Sequence, residues 1–173
     1  TWREDALDPS SGSTYADGID FRLCLDLGAF LDGLPADTVV LLRTHYFVTE
    51  VDGLSAYGDK LIDVSSYRDV NALYLCSDVL ITDYSSVFFD YAILEKPMIF
   101  YMYDLERYRS IRDFYLSVDE LPGERITDEK DLSGAVKRAL SGADEKEKIK
   151  EFNERFNPYG AFAARRVCEA LIR

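Results

Sequence analysis

The chain has 173 residues, 47% hydrophobic and 13% aromatic, which suffices to bury a real core in one compact domain and argues against disorder. Thirty-two acidic against 20 basic residues give a formal net charge of −12; such a surface repels nucleic-acid backbones and anionic lipid, although one local basic site could still hold a small anion. No run of about 18 apolar residues and no charged-then-apolar leader occurs, so neither a membrane span nor an export signal is expected.

In chain order, "TWRED" opens without Met and with Trp2 and Arg3 at the terminus, which reads as a piece of a longer protein. Residues 8–18 form a loop. Over residues 20–34, Phe21, Leu23, Leu25, Leu27, Phe30, Leu31 and Leu34 make a helical stripe that Pro35 stops. "TVVLLRTH" at 38–45 is a continuous apolar run ending in charge, the signature of a strand buried on both faces. A second strand covers 60–66, a helix 66–78, a third strand 78–83 and a helix 85–95. Pro97 opens a fourth strand over 97–103, and 124–128 is a shorter fifth. Helical patterns occupy about 104–116, 129–141, 144–156 and 160–172. Strands alternating with helices at this spacing predict an α/β fold with a parallel sheet covered on both faces, and ligands of such sheets bind beyond the carboxyl ends of the strands. The cysteines, Cys24, Cys76 and Cys168, are odd in number, far apart and set in apolar patterns; they are expected as buried, reduced thiols of a cytosolic protein.

Just past the first strand stand Arg43 and His45, past the second Ser65 and Ser66, and past the third Asp83, Ser85 and Ser86, all expected on one rim. A helix starting near Ser85 offers unpaired amides and the positive end of its dipole to a phosphate, and the serines add neutral donors. Arg43 can grip phosphate with two parallel hydrogen bonds, and His45 is a donor near neutral pH. Plainer roles stand beside these. Asp83 or Ser85 could simply cap the helix, worth about 1 kcal/mol; His45 could be a satisfied core residue, and Arg43 a surface ion pair. Asp90, four residues after Ser86 in an apolar stretch, must find a partner; it suits orienting a serine or arginine better than touching phosphate, with a structural hydrogen bond as its alternative.

Phosphate-loop, dinucleotide and zinc signatures are absent, as is a G-x-S-x-G elbow. With one histidine and no close acidic pair on the rim, no protein-bound catalytic metal and no cofactor are expected.

"SDVLITDYSSVFFDYAILEKPMIFYMYDLERYR", with "RDFY" at 112–115 and "EFNERFNPYG" at 151–160, resembles the CDP-glycerol glycerophosphotransferase family of wall teichoic acid polymerases and primases. "TWRED" is similar to that family's T-W-R-D segment and "LLRTH" to its R-x-H segment; residues 5–37 carry little likeness. The resemblance implies a GT-B architecture of two Rossmann-like halves, this chain being the C-terminal, nucleotide-binding half. The half expected to hold the lipid-linked teichoic acid acceptor, and a strand just before Thr1, would be missing. It implies that Arg43 and His45 contact the donor diphosphate, that Asp83, Ser85 and Ser86 surround the cytidine diphosphate of CDP-glycerol or CMP, and that Ser65 and Ser66 lie near the same site. The family's R-x-H is often followed by proline, where Tyr46 stands here. The implied reaction is attack of an acceptor hydroxyl on the β-phosphorus of CDP-glycerol with release of CMP, in the cytoplasm at the inner face of the membrane; the acidic surface leaves membrane docking to another part of the protein. A base for the hydroxyl is not evident in this chain. Two alternatives remain: a GT-B half using another CMP-activated donor, as in bacterial sialyltransferases, and a receiver-like binding module with Asp83 as phospho-acceptor. The second lacks an acid pair after the first strand and a lysine just after the last.

Overall fold

A computed structural model describes residues 25–44, 53–111, 114–142 and 146–172, and its strands are short, three or four residues each. The chain divides into two units, Thr1–Val70 and Asn71–Arg173.

In the first unit, helix α1 (Leu27–Asp32) starts at Asp26, whose carboxylate accepts the Ala29 amide at 3.0 Å, and ends at Gly33, ahead of Pro35. This capping satisfies an amide that has no partner within the helix. The part of the expected helix at 20–24 lies outside the described residues. Strand β1 (Val40–Leu42) pairs in parallel with β2 (Leu61–Asp63), Val40 opposite Leu61 and Leu42 opposite Asp63. A 3-10 segment at Leu54–Lys60 leads into β2 and bends at Gly58, whose φ of 55° belongs to the left-handed region that glycine enters without a Cβ penalty. Leu27, Leu31 and Leu61 form a small core, with Val40, Leu42 and Tyr57 packed against it.

The second unit holds a parallel sheet in the order β3 (Leu80–Thr82), β4 (Met98–Tyr101), β5 (Glu124–Ile126). In the central β4, Met98, Ile99 and Phe100 are no more than 2% exposed, as a strand flanked on both sides demands. Around the sheet run α2 (Val70–Cys76), α3 (Val87–Tyr91) continued by a 3-10 turn at Ala92–Leu94, α4 (Leu105–Ile111), α5 (Glu129–Leu140), α6 (Lys146–Phe156) and α7 (Ala163–Leu171). Leu132, Ala135 and Val136 bury one face of α5. Phe152 of α6 packs on Phe88 and Phe89 of α3, and Phe156 meets Phe89 edge-on. The Asn157 side chain donates to the Phe89 carbonyl at 2.9 Å and so closes that aromatic contact with a polar clasp. Lys96 Nζ donates to the Leu75 and Ser77 carbonyls at the end of α2, a favourable place for a cation.

All described ladders are parallel and every expected strand is present, trimmed at its ends. The cysteines depart from expectation. Cys76 and Cys168 are free but exposed, because Cys76 closes α2 with its thiol turned back to the Leu73 carbonyl and no residue of α7 is buried; Cys24 lies outside the described residues. No helix among the described residues is long and apolar enough to cross a membrane.

Candidate functional site

At the end of β1 in the first unit, Arg43 reaches across to the segment after β2. Its Nη1 donates to the Val64 carbonyl at 3.0 Å and the Tyr67 carbonyl at 2.7 Å. Arg43 is exposed, and its Nε and Nη2 donors bond no described residue. One corner of the guanidinium therefore braces the loop, while the other side keeps the planar fork that suits a phosphate. The Thr44 amide donates to Ser65 Oγ at 3.0 Å, and the two hydroxyls are also 3.0 Å apart. Ser65 is thus engaged in joining the ends of β1 and β2, whereas Ser66 is exposed. His45 lies outside the described residues.

The Ser65 amide donates to Asp63 Oδ1 at 2.8 Å. Hydrogen bonds from the Ser65 side chain and backbone hold the Asp63 carboxyl below its ordinary value. A depressed folded pKa stabilises the fold above the unfolded pKa, and that stability is lost as pH falls through the folded value. The Asp63→Ala variant should therefore fall beneath the wild type above the ordinary aspartate value of about 3.9 and converge on it as pH falls well below that value, by a small margin because the site is exposed. Melting temperatures measured from pH 6 to pH 2.5 check this; a constant gap would contradict it.

In the second unit, the turn after β3 carries Asp83, Ser85 and Ser86. Asp83 Oδ1 accepts the Ser85 amide at 3.2 Å, which folds the chain into a tight side-chain-closed turn before α3. The Ser86 side chain makes no capping bond, and neither serine hydroxyl engages a described residue. Ser86, rather than Asp83 or Ser85, stands at the N-cap of α3, and Asp83 holds the Ser85 amide ahead of it. The helix expected over 85–95 is shorter, five α-helical residues followed by a 3-10 turn. Its first amides still lack partners within the helix, but few peptide dipoles stand behind them. Asp90 is exposed and its carboxylate bonds no described residue; a carboxylate at an exposed position needs no protein partner, so the one that the apolar pattern demanded is not required.

Two groups near these turns escape the sequence reading. Thr44 is one, hidden between two residues with more evident chemistry. The other surrounds Tyr84, whose hydroxyl donates to Asp104 Oδ1 at 3.0 Å and whose ring stacks on Tyr108 with centroids 3.7 Å apart and planes at 15°. Phe114 tilts against both rings. The spacing of Tyr84, between the acid and the serine pair, was the available signal. Among the described residues no three His, Cys, Asp or Glu side chains gather as metal ligands.

A family model described as CDP-Glycerol:Poly(glycerophosphate) glycerophosphotransferase matches residues 1–173. The chain is 41% identical over 159 residues to a teichoic acid poly(glycerol phosphate) polymerase of Staphylococcus epidermidis, covering 90% of this chain and 21% of that protein. It is 36% identical over 177 residues to a teichoic acid glycerol-phosphate transferase of Staphylococcus aureus, covering 100% and 43%. The solved wall teichoic acid polymerase TagF matches with a TM-score of 0.79 at 37% identity, over 99% of this chain and 40% of that one, and TagF has also been solved as a variant soaked with CDPG. This likeness bears out the Rossmann-like α/β fold of a GT-B half. The chain spans less than half the length of these relatives.

Proposed function

Because the chain belongs to the CDP-glycerol:poly(glycerophosphate) glycerophosphotransferase family, we propose that it is a single donor-binding domain serving transfer of glycerol phosphate from CDP-glycerol to a teichoic acid hydroxyl. The observation that carries this reading is the pair of unengaged hydroxyls, Ser85 and Ser86, at a helix start beyond the carboxyl end of a parallel strand, where ligands of α/β sheets bind.

In this reading the acceptor oxygen attacks the β-phosphorus, the bond from that phosphorus to CMP breaks, and the acceptor proton passes to a base outside this chain. The two serine hydroxyls and the first amides of α3 offset the charge that grows on departing CMP; contact of Arg43 and His45 with the donor diphosphate is carried over from the family resemblance alone. Ser65 and Asp83 act mainly by shaping their loops, Ser66 adds a hydroxyl near the donor, and Asp90 engages an orienting partner only in the donor complex. The lipid-linked acceptor is held by the part of the relatives that this chain does not span. The reaction takes place in the cytoplasm at the inner membrane face, with docking left to that other part, since a net charge of −12 repels anionic lipid.

Calorimetric titration of the chain with CDP-glycerol, CMP, UDP and ADP tests the reading. The cytidine nucleotides should bind and the others should not. Ser85→Ala combined with Ser86→Ala should weaken CDP-glycerol at least about tenfold, the lower worth of a single hydrogen bond to a charged ligand, with almost no change in melting temperature. Parallel losses of affinity and thermal stability would leave the serines only a structural role.

A further inference from the structure

Tyr84 sits inside the turn that carries the serines and packs onto the first turn of α4. There it meets two residues at once: its hydroxyl donates to Asp104 Oδ1 at 3.0 Å and its ring lies flat on Tyr108 at 3.7 Å. Asp104 and Tyr108 are themselves locked together, the Tyr108 amide donating to the Asp104 carbonyl at 2.9 Å. The start of α4 is in turn tied to the sheet: the Met102 amide donates to the Ile126 carbonyl at 2.7 Å and the Leu105 amide to the Met102 carbonyl at 3.2 Å. A continuous path of bonds therefore runs from the β4–β5 ladder through α4 to Tyr84. Within the same turn, Asp83 pins the Ser85 amide.

A short turn held at both of its first two residues has few conformations left to lose when a ligand arrives, and that lowers the cost of binding. The two residues that follow are the ones whose hydroxyls are unengaged. We propose that Tyr84, braced by Asp104 and Tyr108, is a positioning residue that presets Ser85 and Ser86 for the donor phosphates without touching the donor itself. This rests on the reading of those serines as phosphate donors and adds to it the side chains that hold them in place.

The test is a double-mutant cycle on the 173-residue chain, read by calorimetry with CDP-glycerol and by melting temperature. Tyr84→Phe keeps the stacked ring and removes the hydroxyl that bonds Asp104. It should weaken CDP-glycerol about three- to tenfold, the cost of ordering a loosened turn on binding, with the melting temperature lowered by no more than about 2–4 °C. Asp104→Asn, which retains an acceptor oxygen for the Tyr84 hydroxyl, should bind like wild type. In the background of Ser85→Ala with Ser86→Ala, Tyr84→Phe should cost nothing further, because a residue that acts only through the serines has no effect once their hydroxyls are gone. Equal weakening in both backgrounds, or an affinity loss that follows the melting temperature, would reduce Tyr84 to a packing residue and overturn the inference while the serine reading survives. Should the serine variant bind CDP-glycerol as well as wild type, or the chain not bind it at all, the serine reading falls and the inference with it.

Discussion

Gly123→Ala should be the most damaging single-methyl change in the second unit. A Cβ built at this position would lie 2.2 Å from the Met98 carbonyl oxygen and 2.8 Å from its carbon. Both are backbone atoms of β4, the central strand, and Met98 is 2% exposed, so no side-chain rotation relieves the collision. Relief requires prising β5 away from β4, where Ile99, Phe100 and Tyr101 pair with Glu124, Arg125 and Ile126. Overpacking of a well-filled site costs about 1–3 kcal/mol and occasionally more; with rigid backbone as the obstacle, about 3 kcal/mol or more is expected. In a chain of this size each kcal/mol moves the melting temperature by about 2–4 °C. A fall of about 6–12 °C by differential scanning calorimetry should follow, and a change of under about 2 °C would show that the strands have slack not visible in their packing.

The largest effect on binding should come from Arg43. Removing it as Arg43→Ala deletes the two bonds to the Val64 and Tyr67 carbonyls that fix the loop after β2, together with the open edge of the guanidinium proposed for the donor phosphates. Hydrogen bonds to charged groups are worth about 1.5–3 kcal/mol, hence an affinity loss of about 10- to 150-fold for CDP-glycerol. Arg43→Lys separates the contributions. An ammonium keeps the charge but not the flat fork that serves loop and phosphate from opposite sides, so it should restore only part of the affinity. Titration of both variants, with the melting temperature alongside, decides the matter; CDP-glycerol binding unchanged in both would remove Arg43 from the site.

How much of this was legible in the sequence depends on whether a feature is periodic or contextual. β4 is legible because M-I-F-Y is continuously apolar, and α5 because its apolar residues recur at helical spacing beside an Asp128 cap that accepts the Lys130 amide. The length of α3 is not, since V-F-F-D-Y-A-I-L satisfies an α-helix and a 3-10 turn alike. The 3-10 segment at Leu54–Lys60 has no apolar period and gives no signal. At the candidate site, polar residues stand out after each apolar strand, which puts Arg43 and the serines in view. The bonds that distinguish them do not: Ser65 and Ser66 are adjacent and chemically alike, yet Ser65 is joined to Thr44 and Ser66 is exposed. Tyr84 is concealed for another reason. Its place between an acid and two serines marks it as unusual but names no partner, and only its stacking on Tyr108, 24 positions further on, reveals a brace.

The strand order β3-β4-β5 follows the order of synthesis. Neighbouring strands can therefore zip together from nearby contacts as the chain lengthens, the cheapest route in loop-closure entropy. The turn bearing the serines would acquire its shape at that early stage. Phe100 of β4 already meets one edge of Phe88, but Phe89 and the remaining face of Phe88 must wait for Phe152 and Phe156, delivered by α6 more than 60 positions later. Until then they present a sticky surface, the kind of transient exposure on which chaperones act during biogenesis.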